Sequence, residues 1–148
     1  MADDDWREFA AFAGPELPQL TAWNNKIVLV GDSSHALSGA FGSGAGFAME
    51  DGYILSKALE YYLNDIHMAL PLFDAIRVPY YTRMYRHLAA EGNKRTRELE
   101  ELGLDATYDD RVKVKVIKAG NSMGWIYNND IGEVWRSASE AISTAAYS

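Results

Sequence analysis

A short β-branched run, Lys26-Ile27-Val28-Leu29-Val30, ends on Gly31-Asp32 and passes through a glycine-dense loop into a helical pattern. No other passage constrains the fold as tightly. The continuous apolar run predicts a strand covered on both faces. From about Ser43, the residues Phe47, Ile54, Leu55, Ala58, Leu59 and Tyr62 recur at spacings of three and four, which predicts an amphipathic helix. Gly42, Gly44 and Gly46 lead into it. A loop without Cβ atoms lets a flat ligand approach the backbone. The helix start then offers free N–H groups and a positive dipole end to an electron-rich partner.

The flanking sequence is largely helical in pattern. Asp3-Asp4-Asp5 offer a cap for a short helix through Phe12, ended by Gly14-Pro15. Asn64-Asp65 ends the glycine-led helix and caps the next one, whose inner face is Leu72, Phe73, Ile76, Tyr80, Met84 and Leu88. Pro79 lies inside that pattern and predicts a kink or a split, because it cannot bond to the carbonyl of Ala75. A charged continuation from Lys94 to Leu102 ends at Gly103, a C′ residue. Residues 103–110 read as a loop, with Asp109-Asp110 as an acidic helix start. Val112, Val114 and Val116 alternate with charges as a strand would, yet Val112, Val116, Ala119 and Met123 also fit a helical face. A last helix is predicted from Glu133 to Ala145, with Val134, Ala138, Ala141 and Ile142 inward.

Composition narrows the function classes. The 148 residues amount to about one domain, and 48% apolar content suits a packed core. Net charge is −7 and no dense basic patch exists, which argues against nucleic acid and anionic membrane partners. The absence of cysteine excludes disulfides and thiolate chemistry. No secretory signal or membrane span is read, so a cytoplasmic location is expected. His35, His67 and His87 lack metal-ligand spacing. His35 beside Ser34 does not make a nucleophile–base pair without a third orienting group.

The order Gly31, Asp32, Ser33, Ser34, His35, then Gly42, Gly44, Gly46, then Glu50-Asp51 resembles the second flavin-binding segment of the FAD-dependent aromatic hydroxylases, the salicylate-hydroxylase-like group A flavoprotein monooxygenases. Trp23, the Arg77-Val-Pro-Tyr-Tyr-Thr-Arg83 stretch and the Trp125-Ile-Tyr-Asn-Asn-Asp130 stretch resemble further family features in the same order, so the likeness covers roughly residues 20–135. It implies a mainly α fold with one or few strands, a truncated α/β FAD-binding fold. Residues 1–148 would form one domain, with helices packed on Lys26–Val30, a C-terminal helical region and a helix at 111–117. It further implies that Gly31 and Asp32 close the strand beside FAD, Asp32 accepting a bond from a ribityl hydroxyl. The amides of Gly44, Ala45, Gly46 and Phe47 would face the pyrimidine edge, and Gly42 would give the ring room. NAD(P)H would be the reductant, and an aromatic or polyketide-like small molecule the substrate. No catalytic side chain is identified.

The chain departs from the family pattern. Gly39 stands where many relatives have Pro, and Ser33-Ser34 where many have Ala. No Gly-x-Gly-x-x-Gly segment for the ADP half of FAD occurs in the 148 residues. A lone strand leaves backbone groups unpaired, so self-association or docking on a partner chain through Lys26–Val30 is expected. Two other readings stay open: a non-redox cyclase, dehydratase or isomerase that has lost FAD, and a non-catalytic interaction module. Structural readings stand beside the chemical ones: Asp32 as a turn cap, Glu50-Asp51 as a helix anchor, and Trp125 and Trp135 as packing residues.

Overall fold

A computed structural model describes residues 12–37, 41–103, 105–117 and 123–146. The elements are β1 (Thr21–Ala22), β2 (Ile27–Val28), a single 3-10 turn (Gly31–Ser33), α1 (Gly44–Tyr61), α2 (Ile66–Leu102), α3 (Tyr108–Ile117), α4 (Gly124–Tyr127) and α5 (Ile131–Ala146). The fold is mainly α with two short strands, as expected. The helix anticipated after Asp3-Asp4-Asp5 and the Gly39 departure lie outside the described residues.

The strand reading needs correction. β2 is two residues long and pairs antiparallel with β1, Thr21 opposite Val28 and Ala22 opposite Ile27. It is not covered on both faces: Ile27 and Val30 are 39% and 40% exposed. The cause is local. Trp23, Asn24 and Asn25 have φ of 54°, 56° and 59°, so the chain reverses immediately before β2 and supplies its own strand partner. Lys26 N–H donates to the Ala22 carbonyl (3.1 Å) and Leu29 N–H to that of Leu20 (2.8 Å). Asn tolerates the left-handed region better than most residues, and the Asn24-Asn25 pair was the turn signal in the sequence. Asp74 of α2 ties the hairpin down, accepting from Leu20 N–H (2.8 Å) and the Thr21 hydroxyl.

α1 buries Phe47, Ile54 and Ala58 on the face expected, with Leu55, Leu59 and Tyr62 half-buried. Its end is made by Leu63 and Asn64 in the left-handed region, and Asn64 N–H reaches the Leu59 carbonyl (2.8 Å). Asp65 then caps α2, its carboxylate accepting from His67 N–H (2.9 Å). The buried stripe of α2 is Ala69, Leu70, Phe73, Arg77, Tyr81 and Met84. It is centred one position from the predicted one, because a buried arginine occupies its middle. Pro79 does not split α2, which runs as one helix to Leu102, where Gly103 (φ +77°) ends it. The chain forms two compact units, one through Val78 and one from Pro79.

In the second unit, residues 108–117 are helical, as the resemblance implied. Thr107 and Asp110 form a reciprocal cap: Asp110 N–H donates to the Thr107 hydroxyl and Thr107 N–H to the Asp110 carboxylate, both at 3.2 Å. A capped start favours helix over the alternating pattern of valines. Asp130 caps α5 through Glu133 N–H (3.1 Å). Val134, Ala138 and Ile142 of α5 are half-buried, but Ala141, expected inward, is exposed. Trp125 of α4 packs on α2, edge to face with Tyr80 and His87 and beneath the Arg83 guanidinium, 3.9 Å from the ring centre.

Candidate functional site

The strand-to-helix passage folds around one buried carboxylate. Val30 enters a turn that Gly31 can make because its φ is +59°. A Cβ at Gly31 would lie 3.2 Å from the Ala48 Cβ, so the turn sits directly on α1. The two serines stitch the turn. Ser33 Oγ donates to the Val30 carbonyl (2.7 Å) and accepts from Val30 N–H (3.1 Å). Ser34 Oγ lies 2.8 Å from the Gly31 carbonyl and 3.3 Å from Asp51 Oδ2, and its single proton serves one of them at a time. The Ser33-Ser34 departure therefore supplies bonds that alanines could not.

Asp51, fully buried on α1, receives Gly31 N–H at 2.9 Å on Oδ2 and Arg77 Nε at 2.7 Å on Oδ1. His35 Nε2 stands 3.5 Å from Asp51 Oδ2. Arg77 is 1% exposed and grips the first turns of α1 at two further points, Glu50 Oε2 at 3.1 Å and the Phe47 carbonyl at 3.5 Å. A buried carboxylate is tolerated when a cation and hydrogen-bond donors compensate it. Three sequence features quoted separately, the Gly-Asp turn, the acidic pair and the arginine of Arg-x-Pro, thus meet at one point. This is the anchoring role read for Glu50-Asp51.

Beside this cluster lies an open cavity of about 340 Å³, within the size range of small-molecule sites. Its lining comes from Asp32, His35, Ala36 and Leu37 in and after the turn, from Phe41, Gly42 and the start of α1 at Gly44, Ala45 and Phe47, and from Phe12. Asp32 is exposed. A Cβ at Gly44 would come 3.5 Å from Asp32 Oδ1, so the carboxylate stands next to the helix start. Ser43 is the N-cap and its side chain makes no capping bond. The first intrahelical bond is Phe47 N–H to the Ser43 carbonyl (3.1 Å). The amides of Gly44, Ala45 and Gly46 precede it and are the orphan donors of the helix. No acidic residue stands in the first turn to offset the dipole.

The predicted site residues divide accordingly. Asp32, Gly42, Gly44, Ala45 and Phe47 line the cavity. Phe47 contributes its buried ring, stacked edgewise on Phe41 and His35, since its amide is used in the helix. Gly31 and Gly46 are not among the lining residues, and Gly31 N–H goes to Asp51. Gly42 has φ +65°, a conformation glycine adopts freely. The sequence reading missed His35 as a wall residue and Arg77 as the buried counter-charge. Among the described residues no group of acidic and histidine side chains could hold a metal ion, and no helix is long and apolar enough to cross a membrane.

The donor set fits a flavin. A ring edge that carries negative charge suits orphan amides at a helix start, and a polyol suits an exposed carboxylate.

Comparison with known proteins gives a consistent direction. No protein-family model matches the chain, and no solved structure matches it. Salicylate hydroxylase from Pseudomonas putida is 29% identical over 120 residues, covering 78% of this chain and 26% of that protein. Kynurenine 3-monooxygenase from Sus scrofa is 37% identical over 57 residues, 38% of this chain and 12% of that protein. For 3-hydroxybenzoate 6-hydroxylase from Klebsiella oxytoca the identity is 38% over 56 residues, again 38% of this chain and 14% of that protein. The chain therefore spans about a quarter or less of the length of these relatives. Such partial matches support a resemblance to the FAD-dependent hydroxylases and monooxygenases.

Proposed function

We propose that this chain seats the flavin of an FAD-dependent monooxygenase acting on an aromatic or polyketide-like small molecule, with NAD(P)H as reductant. One observation carries the reading: the exposed Asp32 carboxylate and the uncapped glycine start of α1 face the same cavity. Asp32 would hold the polyol chain, the amides of Gly44 and Ala45 the electron-rich ring edge, and Phe41 and Phe47 the apolar side. The flavin, when bound, supplies the electron transfer and oxygen activation. The protein's part is to orient the ring and to favour negative charge at the edge facing α1.

Titration of the purified protein with FAD tests the reading. A yellow complex, protected against heat and weakened about tenfold by Asp32→Ala, is the expected result. A colourless protein that added FAD neither colours nor stabilises rejects it. Turnover of a small molecule without NAD(P)H would favour the non-redox alternative.

A further inference from the structure

We propose that Arg77 and Asp51 are positioning residues for the cavity, setting the gap between the Asp32 carboxylate and the orphan amides of α1. This goes beyond the proposed function while resting on it for the identity of the ligand.

Both walls of the cavity are tied to the same buried carboxylate. The Asp32 wall hangs from the Gly31–Ser34 turn, whose Gly31 N–H ends on Asp51 Oδ2 at 2.9 Å. The α1 wall is held by Arg77, which takes Asp51 Oδ1 at 2.7 Å, Glu50 at 3.1 Å and the Phe47 carbonyl at 3.5 Å. Neither Asp51 nor Arg77 lines the cavity. Their effect on a ligand must therefore pass through Asp32 and the helix start. A carboxylate has two oxygens in fixed geometry. With one held by the turn and the other by the guanidinium, the turn cannot slide along α1 without breaking a charge-assisted bond. The serine bonds shape the turn internally, and Asp32 and Ser33 are exposed, so the hydrogen bonds that tie the turn to α1 are those to Asp51.

Two readouts test this on the intact chain, using Arg77→Lys, which keeps the charge and loses the planar donor fork, and the milder Ser34→Ala. The first is FAD affinity in a double-variant cycle. Each variant alone is expected to weaken FAD binding by about tenfold or less. Added to Asp32→Ala, neither should weaken it further, because the group they position is gone. Full additivity overturns the proposal and shows a merely structural role. The second readout needs no flavin: amide hydrogen exchange at residues 31–36 should quicken in both variants while Ile54–Tyr61 keeps its protection. Unchanged exchange at 31–36 overturns the proposal. If wild-type protein ignores FAD but exchange at 31–36 quickens, the flavin reading fails and the positioning by Asp51 and Arg77 stands. Should Arg77→Lys not fold, Ser34→Ala decides both readouts.

Discussion

The two compact units are held by different physics. Up to Val78, the interior holds a charge cluster beside its apolar residues: Asp51 and Arg77, with His35 and Ser34, are all at most 2% exposed, as are Ile54, Phe73 and Leu20. From Pro79, the best-defined cluster is aromatic, with Trp125 against Tyr80, His87 and the Arg83 guanidinium, and α3 and α5 start on surface caps. A buried ion pair contributes little net stability but punishes any misfit, because an uncompensated charge cannot be left inside. Stacking and caps are graded and forgiving. The unit that carries the cavity is the one whose geometry admits few alternatives.

That contrast can be broken or sharpened by substitution. Arg77→Met should have the largest effect, about 3–5 kcal/mol, because it leaves Asp51 without its cation. Chemical denaturation would read the loss, and hydrogen exchange should locate it in residues 31–58. A smaller loss, below about 1 kcal/mol, would mean that the charge cluster is not what holds this unit. Trp125→Ala should cost about 2 kcal/mol, less than for a fully buried tryptophan since Trp125 is only half-buried. Its loss should speed exchange in α4 and the middle of α2 and leave FAD affinity unchanged. Asp130→Ala removes a cap and should cost about 1 kcal/mol, seen as faster exchange in the first turn of α5 alone.

Much of the helical framework was legible in the sequence. The Phe47–Ile54–Ala58 stripe, the Asp65 cap and the Gly103 stop each follow from spacing or local hydrogen bonding that needs no distant partner. Two of the differences share a cause. Arg77 does not show on the α2 face because a charge does not score as a core residue. Asp51 is likewise hidden in the stripe between Phe47 and Ile54. Each interrupts an apolar stripe, and the two have opposite sign; that coincidence was the available signal. The hairpin was missed because the β-branched run was weighed without the Asn24-Asn25 pair before it. The cavity itself was half legible: glycines and Asp32 were read from motif order, whereas His35 reaches the wall through the turn geometry.

The reversal between α1 and α2 has a consequence for insertions and deletions. Asn64 stands midway along the sequence between Asp51 and Arg77, so the ion pair closes like two marks on a folded ruler. One residue added to or removed from the helical arms, between Asp51 and Tyr61 or between Ile66 and Arg77, would turn the two charges by about 100° relative to each other and carry the guanidinium off its mark. Length in those two arms is a specification, whereas the exposed bend between them can change its count of residues without moving either charge off its helix face.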